Sequence, residues 1–265
     1  MSVNTFTPSH RGGSGKPLLC VHGFVDTWRT WELVLPTLER RYDVLAPTLP
    51  GHAGGPPAEP NVDAVLDVLE AAMDNAGFAT AHVCGNSLGG YLALRLAERG
   101  RADSVVALAP AGGWADDDPL FAETHVPHFT TLQQQAKAAV PHVDAIVRTP
   151  EGRRRATELI TTRYEHIPAE LIAHQIEGVA ACDAVESMLA AGLRDGWPLD
   201  AERIACPVRI VWGTDDRILP WPSAAVRYRA ELPNADWVEL DGVGHCPQLD
   251  VPVETAELIA GFATV

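Results

Sequence analysis

Short apolar runs alternate with amphipathic stretches up to Pro110, and the alternation predicts strands and helices in turn. The run Leu18-Leu19-Cys20-Val21 is wholly apolar, as a strand buried on both faces of a parallel sheet must be. Trp31, Val34, Leu35 and Leu38 recur at helical spacing and predict a helix over 28–40, and residues 43–46 read as the next strand. The loop 47–60 is crowded with Pro and Gly around Leu49-Pro50-Gly51-His52, so it is a shaped connection. Asn61 then offers an N-cap, Val62, Val65, Leu66, Leu69 and Met73 form one apolar stripe, and Gly77 stops that helix. A strand at 81–84, a helix at 88–99 and a strand at 104–109 follow. This order predicts an α/β fold, a mostly parallel, doubly wound sheet with its active site at the carboxyl edge. Residues 1–17 are polar and hold at most one short strand, around 3–7, as a leader to an edge strand.

After Trp114 the pattern changes. Residues 115–203 show helical periodicity without strand-like runs, with candidate helices at 119–139, 151–165, 168–180 and 183–194 interrupted by Pro127, Pro141, Pro150 and Pro168. The sheet resumes with Val208-Arg209-Ile210-Val211-Trp212, then a helix at 223–232, a strand at 237–240, a loop holding His245 and a final helix at 252–262. The expected organisation is one core in two parts, residues 1–114 and 204–265, with a helical cap inserted at 115–203.

The net charge of −15, from 35 acidic against 20 basic side chains, argues against nucleic acid and anionic membranes as partners. Arg153, Arg154 and Arg155 form one basic cluster, in a polar helical stretch that reads as a solvated face. Five cysteines without framework spacing read as reduced thiols of a cytoplasmic protein. No basic-then-apolar leader follows Met1, and no apolar run approaches membrane-spanning length. The oligomeric state is not written in the sequence.

Gly85-Asn86-Ser87-Leu88-Gly89 has the spacing G-x-S-x-G between a predicted strand and a predicted helix. Such a turn holds a serine hydroxyl clear of the chain, and Gly85 and Gly89 are needed where the backbone closes on itself. Ser87 is the candidate nucleophile, and the N–H of Leu88 at the helix start is a candidate oxyanion donor. A serine needs a general base, and the base an orienting carboxylate. His245, in Gly242-Val243-Gly244-His245 after the last strand, is the candidate base; His22 and His52 precede the nucleophile and read as loop-packing residues. Asp216 is favoured as the acid because Arg217-Ile218-Leu219-Pro220 returns the chain to an apolar surface, while Asp215 and the run Asp116-Asp117-Asp118 remain open. The second oxyanion donor is expected from the backbone N–H of Phe24 in His22-Gly23-Phe24.

These motifs, with Leu49-Pro50-Gly51-His52 and Gly244-His245-Cys246-Pro247-Gln248-Leu249, resemble in order those of the α/β-hydrolase superfamily. The resemblance implies a Ser87, His245 and Asp216 triad, an acyl-enzyme on Ser87, a helical cap after the family's sixth strand, and no metal or organic cofactor. The N-terminus departs from it, since the family's opening hairpin lacks at least its first strand here. A serine at the nucleophile position sets the chain apart from haloalkane dehalogenases and epoxide hydrolases, which use aspartate. The Gly-Asn-Ser-x-Gly-Gly elbow resembles both carboxylesterases and the carbon-carbon bond hydrolases of meta-cleavage products. Phe24-Val25-Asp26-Thr27 in place of Gly-Pro-Gly, and Cys246 in place of Trp, weaken the second. The sequence thus points to a small to medium apolar ester as substrate, with carbon-carbon bond hydrolysis, or a small-molecule receptor on the same fold, as alternatives. Pocket candidates are Phe24, Leu88, Trp114, Phe121, Phe129, Met188, Trp197 and Trp221, each of which could equally be packed in the core.

Overall fold

Seven strands form one sheet in the order β1-β3-β2-β4-β5-β6-β7, in a computed structural model that describes residues 6–57, 59 and 61–263. The strands are β1 (Ser9–Gly13), β2 (Lys16–Val21), β3 (Tyr42–Pro47), β4 (Ala81–Asn86), β5 (Ala102–Leu108), β6 (Val208–Gly213) and β7 (Asp236–Leu240). All neighbours run parallel except β1, which pairs antiparallel with β3 from Ser9↔Pro47 to Gly13↔Asp43. The polar run Ser9–Gly13 shows no apolar alternation, so the expected leader is in fact an edge strand held by its partner. Of the strand expected around 3–7, residues 3–5 lie outside the described residues, and Phe6 and Thr7 are not in a strand.

The central strands bury both faces, which is why they read as continuous apolar runs. Leu19 and Val21 of β2 join Val83, Val105, Ile210 and Trp212 on one side, against α2 (Val62–Ala76) and α3 (Leu88–Glu98). Leu18 and Cys20 turn to the other side with Cys84, Val106 and Val211, against Trp31, Leu38 and Ile259. The helix α2 is capped as expected, with the Asn61 side chain accepting from Ala64 N–H at 2.8 Å. The helix predicted over 28–40 is divided: a 3-10 turn, Trp28–Trp31, precedes the short α1 (Leu35–Leu38), with Pro36 in the first turn of α1. All five cysteines are free thiols.

Between β5 and β6 the chain is helical. A π-turn (Leu120–His125) leads into α4 (Val126–Ala139), with Pro127 in the first turn of α4, followed by α5 (Val143–Val147), α6 (Pro150–Thr157), α7 (Ala169–Ala180) and α8 (Val185–Asp195). The helix expected at 151–165 therefore ends at Thr157, and α5 is an additional element. The chain closes with α9 (Val226–Glu231), α10 (Pro247–Asp250) and α11 (Pro252–Phe262). Among the described residues, no helix is long and apolar enough to cross a membrane.

The sheet places the chemistry. The chain leaves β2 for β3 on one side and β4 for β5 on the other, so the carboxyl ends of β2 and β4 flank a switch point where α/β sheets open a crevice. The loops beginning at His22, Ser87, Thr214 and Asp241 all emerge at that edge.

Candidate active site

Ser87 stands between β4 and α3 with φ 56° and ψ −118°, a conformation costly for a residue with a Cβ. The cost is about 1 to 3 kcal/mol, and it is met by fixed neighbours. Ser87 N–H donates to Leu108 C=O at 2.9 Å, and its own carbonyl accepts from Ala111 N–H at 3.0 Å and Tyr91 N–H at 3.1 Å. A Cβ at Gly85 would land on the Gly89 carbonyl, and one at Gly89 on the Val21 carbonyl, so only glycine lets β2, β4 and α3 close at this point. Leu88 opens α3, and its N–H has no carbonyl one turn earlier to bond.

The loop after β2 passes beside Ser87. A Cβ on Gly23 would meet Ser87 Cβ and the Asn86 carbonyl at 3.4 Å each. His22 fixes this loop: its Nε2 accepts from Leu49 N–H at 2.8 Å, so Nδ1 carries the proton it donates to Gly23 C=O at 2.7 Å. Burial, with His52 nearby, holds the His22 pKa well below its usual value, and burial lowers that of His52 to about 4. Both are neutral packing residues, as expected. Val25, at φ 59°, is a β-branched residue in the left-handed region, so this loop too is held under strain.

His245 and Asp216 are both buried, and Nδ1 of the imidazole lies 2.7 Å from Asp216 Oδ2. An ionised carboxylate only accepts, so Nδ1 donates and Nε2 keeps its lone pair on the side of the ring away from Asp216. The other carboxylate oxygen, Oδ1, accepts from Ile218 N–H and Leu219 N–H at 2.8 Å each, which is the return over 217–220 doing the fixing. Asp215 is exposed, and so are Asp116 and Asp117; the Asp118 side chain accepts from Leu120 N–H at 2.9 Å. Of these aspartates, Asp216 lies beside His245.

Asn86 is a further link that sequence reasoning missed. Its side-chain amide donates to His245 C=O at 2.9 Å and Leu108 C=O at 3.2 Å, while its oxygen accepts from Gln248 at 3.1 Å. The helical insertion grips the same loops. Asp250 accepts from Gly244 N–H at 2.7 Å and, from the insertion, Arg163 N–H at 2.7 Å and Thr162 N–H at 3.0 Å. His125 Nε2 donates to Ile218 C=O at 2.8 Å, and His174 Nε2 lies 2.9 Å from the Thr27 hydroxyl.

Ser87 borders two cavities. An apolar one of about 50 Å³ is lined by Phe24, Leu88, Trp114, Phe121, Phe129, Met188 and Trp197, with His125 and Leu189 as additional walls. Trp221 is the exception among the pocket candidates. Its ring packs on Trp212 and Trp237 at centroid distances of 5.7 and 6.0 Å, under the Arg229 guanidinium, so it belongs to the core margin and lines neither cavity. The second cavity, about 650 Å³, is bordered by Asp26, Gln175, His128, His245 and Cys246, with Arg155 at its exposed rim. Asp26, Gln175 and His128 carried no sequence signal, because residues about 50 to 150 positions apart meet only through the insertion.

Burial pushes the Asp26 carboxyl up to about 6, against hydrogen bonds from Thr27 N–H, Thr30 and Gln175 that favour the ionised form. Its ordinary value is 3.8, so as pH rises the unfolded chain ionises first and the folded protein loses stability until about pH 6. The loss is at most about 3 kcal/mol, reduced by solvent at this half-buried position. Asp26→Asn should therefore raise the melting temperature at pH 7.5 and leave it nearly unchanged at pH 4. Equal shifts at the two pH values would contradict the burial account.

The α/β-hydrolase family profile, described as "Alpha/beta hydrolase family", matches residues 18–258. The chain belongs to that family. It is 33% identical over 201 residues to epoxide hydrolase EphH of Mycobacterium tuberculosis, covering 75% of this chain and 92% of that one. It is 27% identical over 259 residues to a pimeloyl-[acyl-carrier protein] methyl ester esterase of Aromatoleum aromaticum, covering 91% and 96%. A meta-cleavage product hydrolase from Pseudomonas fluorescens IP01 shares the fold with a TM-score of 0.73 at 21% identity, over 97% of this chain and 93% of that one.

Proposed function

We propose that the protein is a cofactor-free serine carboxylesterase that forms an acyl-enzyme on Ser87. One observation carries the reading: the buried pair of His245 Nδ1 and Asp216 Oδ2, 2.7 Å apart, at the sheet edge where Ser87 is held in strained geometry. In this reading Ser87 Oγ attacks the ester carbonyl and its proton passes to His245 Nε2. The oxyanion accepts from the N–H groups of Leu88 and Phe24, each donor worth about 3 to 4 kcal/mol at the transition state. The leaving alkoxide takes the proton from His245, and water repeats the sequence on the acyl-enzyme. Asp216 stabilises the imidazolium and fixes its tautomer. Residues 115–203 act as the cap that roofs the cavities, and the free thiols suit a cytoplasmic setting.

The relative named an epoxide hydrolase raises ring opening as another activity. Attack by Ser87 on an epoxide carbon would leave an ether with no carbonyl for water to attack, so the cycle would stop. Carbon-carbon cleavage of a dienoate meets a different obstacle, because the large cavity presents the Asp26 carboxyl where an anionic substrate needs a buried cation. Of the cap arginines, Arg154 pairs with Glu151 and Glu158, Arg153 lies over the Tyr164 ring, and Arg155 is exposed at the rim. The test compares kcat/KM for p-nitrophenyl butyrate with that for a 2-hydroxy-6-oxo-dienoate at equal pH and ionic strength. The ester should be preferred by tenfold or more. Preference for the dienoate would reverse the assignment and make Arg155 the first candidate for its carboxylate anchor.

A further inference from the structure

The two cavities at Ser87 differ in size, in polarity and in the catalytic group each one faces. The 50 Å³ pocket is walled by side chains such as Trp114, Phe121 and Met188, with no carboxylate and no part of His245. The 650 Å³ cavity includes His245 in its wall. An ester bound at Ser87 must send its two halves in different directions. The leaving oxygen is protonated by the imidazole, so the alcohol half must lie on the side of His245. That side is the large cavity, and the acyl half is left with the small one. A volume of 50 Å³ holds about three or four non-hydrogen atoms.

The large cavity also presents hydrogen-bonding groups that the triad does not use. The Asp26 carboxyl forms part of its wall, held by Thr27 N–H at 2.8 Å and by Gln175. Gln175 Oε1 and His128 Nε2 are buried there with no partner among the described residues. A buried amide oxygen without a donor is destabilising, and a ligand that supplies the donor recovers the loss. Gln175 Oε1 asks for a donor such as a hydroxyl or an ammonium group, and the Asp26 carboxyl beside it together with the net charge of −15 favours a neutral or cationic ligand.

Resting on the acyl-enzyme reading, we infer that the substrates are esters of short apolar acids with extended alcohols that carry a hydroxyl or amine, received by Asp26 and Gln175. The large cavity is the leaving-group site, and the small pocket limits the acid.

The experiment uses the intact protein and two ester series. In the first, p-nitrophenyl acetate, butyrate and octanoate, kcat/KM should fall at least tenfold from butyrate to octanoate. In the second, butyrates of methanol and hexanol, it should rise at least tenfold. Monobutyrates of linear diols from three to eight carbons should then beat the matching alkyl butyrates by fivefold or more at one or more lengths. That ratio should collapse toward one in Asp26→Leu and in Gln175→Leu, and being a ratio within one variant it does not depend on the folded fraction. Preference for octanoate together with methyl over hexyl would overturn the division of the cavities. No diol preference at any length, or a preference that survives both substitutions, would overturn the donor assignment. Failure of every ester to acylate Ser87, read by intact mass, is a different result and would strike the esterase reading itself.

Discussion

Ser87→Ala should lose on the order of 10⁴ to 10⁶ in kcat on p-nitrophenyl butyrate, and His245→Ala should lose a similar factor. The double variant should lose little more than either alone, because the hydroxyl and the imidazole carry one proton transfer between them and removing either ends it. In the proposed mechanism the residual rate comes from the N–H groups of Leu88 and Phe24 and from binding, which both substitutions leave in place. Alanine inherits the φ of 56° and, having the same Cβ, adds no strain to it. The fold of Ser87→Ala should persist because the backbone bonds to Leu108, Tyr91 and Ala111 are unchanged. Losses that multiply in the double variant would show that the two residues do not act as a unit.

Asp216→Asn should lose about 10⁴ in kcat while the melting temperature changes little. The amide keeps the shape and one acceptor oxygen, so it can still take the Ile218 and Leu219 N–H bonds. Its NH₂ then faces His245 Nδ1, and the imidazole must place its proton on Nε2, where Ser87 needs a lone pair. Asp215→Asn, one residue earlier but exposed, should lose less than threefold. Comparable losses at the two positions, measured as kcat at saturating ester, would overturn the choice.

What could be read in the sequence was whatever local backbone chemistry demands. The turn at Ser87 needs glycine on both sides, and the Asp216 loop needs its own return, so both were visible without tertiary information. Central strands were visible because burial on both faces makes them uniformly apolar. The edge strand Ser9–Gly13 was not, since its partner among the described residues is β3, over 30 residues later, and no apolar face marks it. Trp221 looked like a pocket residue because composition does not tell which way an indole turns; Trp212, Trp237 and Arg229 claim it. The polar wall of the large cavity leaves no local signal for a related reason. Asp26 and Gln175 have ordinary local settings, and only the folding of the insertion back over the β2 loop brings them together. Asn86 belongs to the turn motif, but the bond from its amide to the His245 carbonyl is long-range, and spacing cannot reveal it.

The central claim is a covalent ester on one serine, and the direct measurement is peptide mass after rapid acid quench of the protein with p-nitrophenyl butyrate. The account predicts a butyryl group on the peptide containing Ser87, formed and discharged at rates consistent with turnover and absent in Ser87→Ala. An adduct on any other residue, or undiminished turnover of the ester by Ser87→Ala, would contradict it.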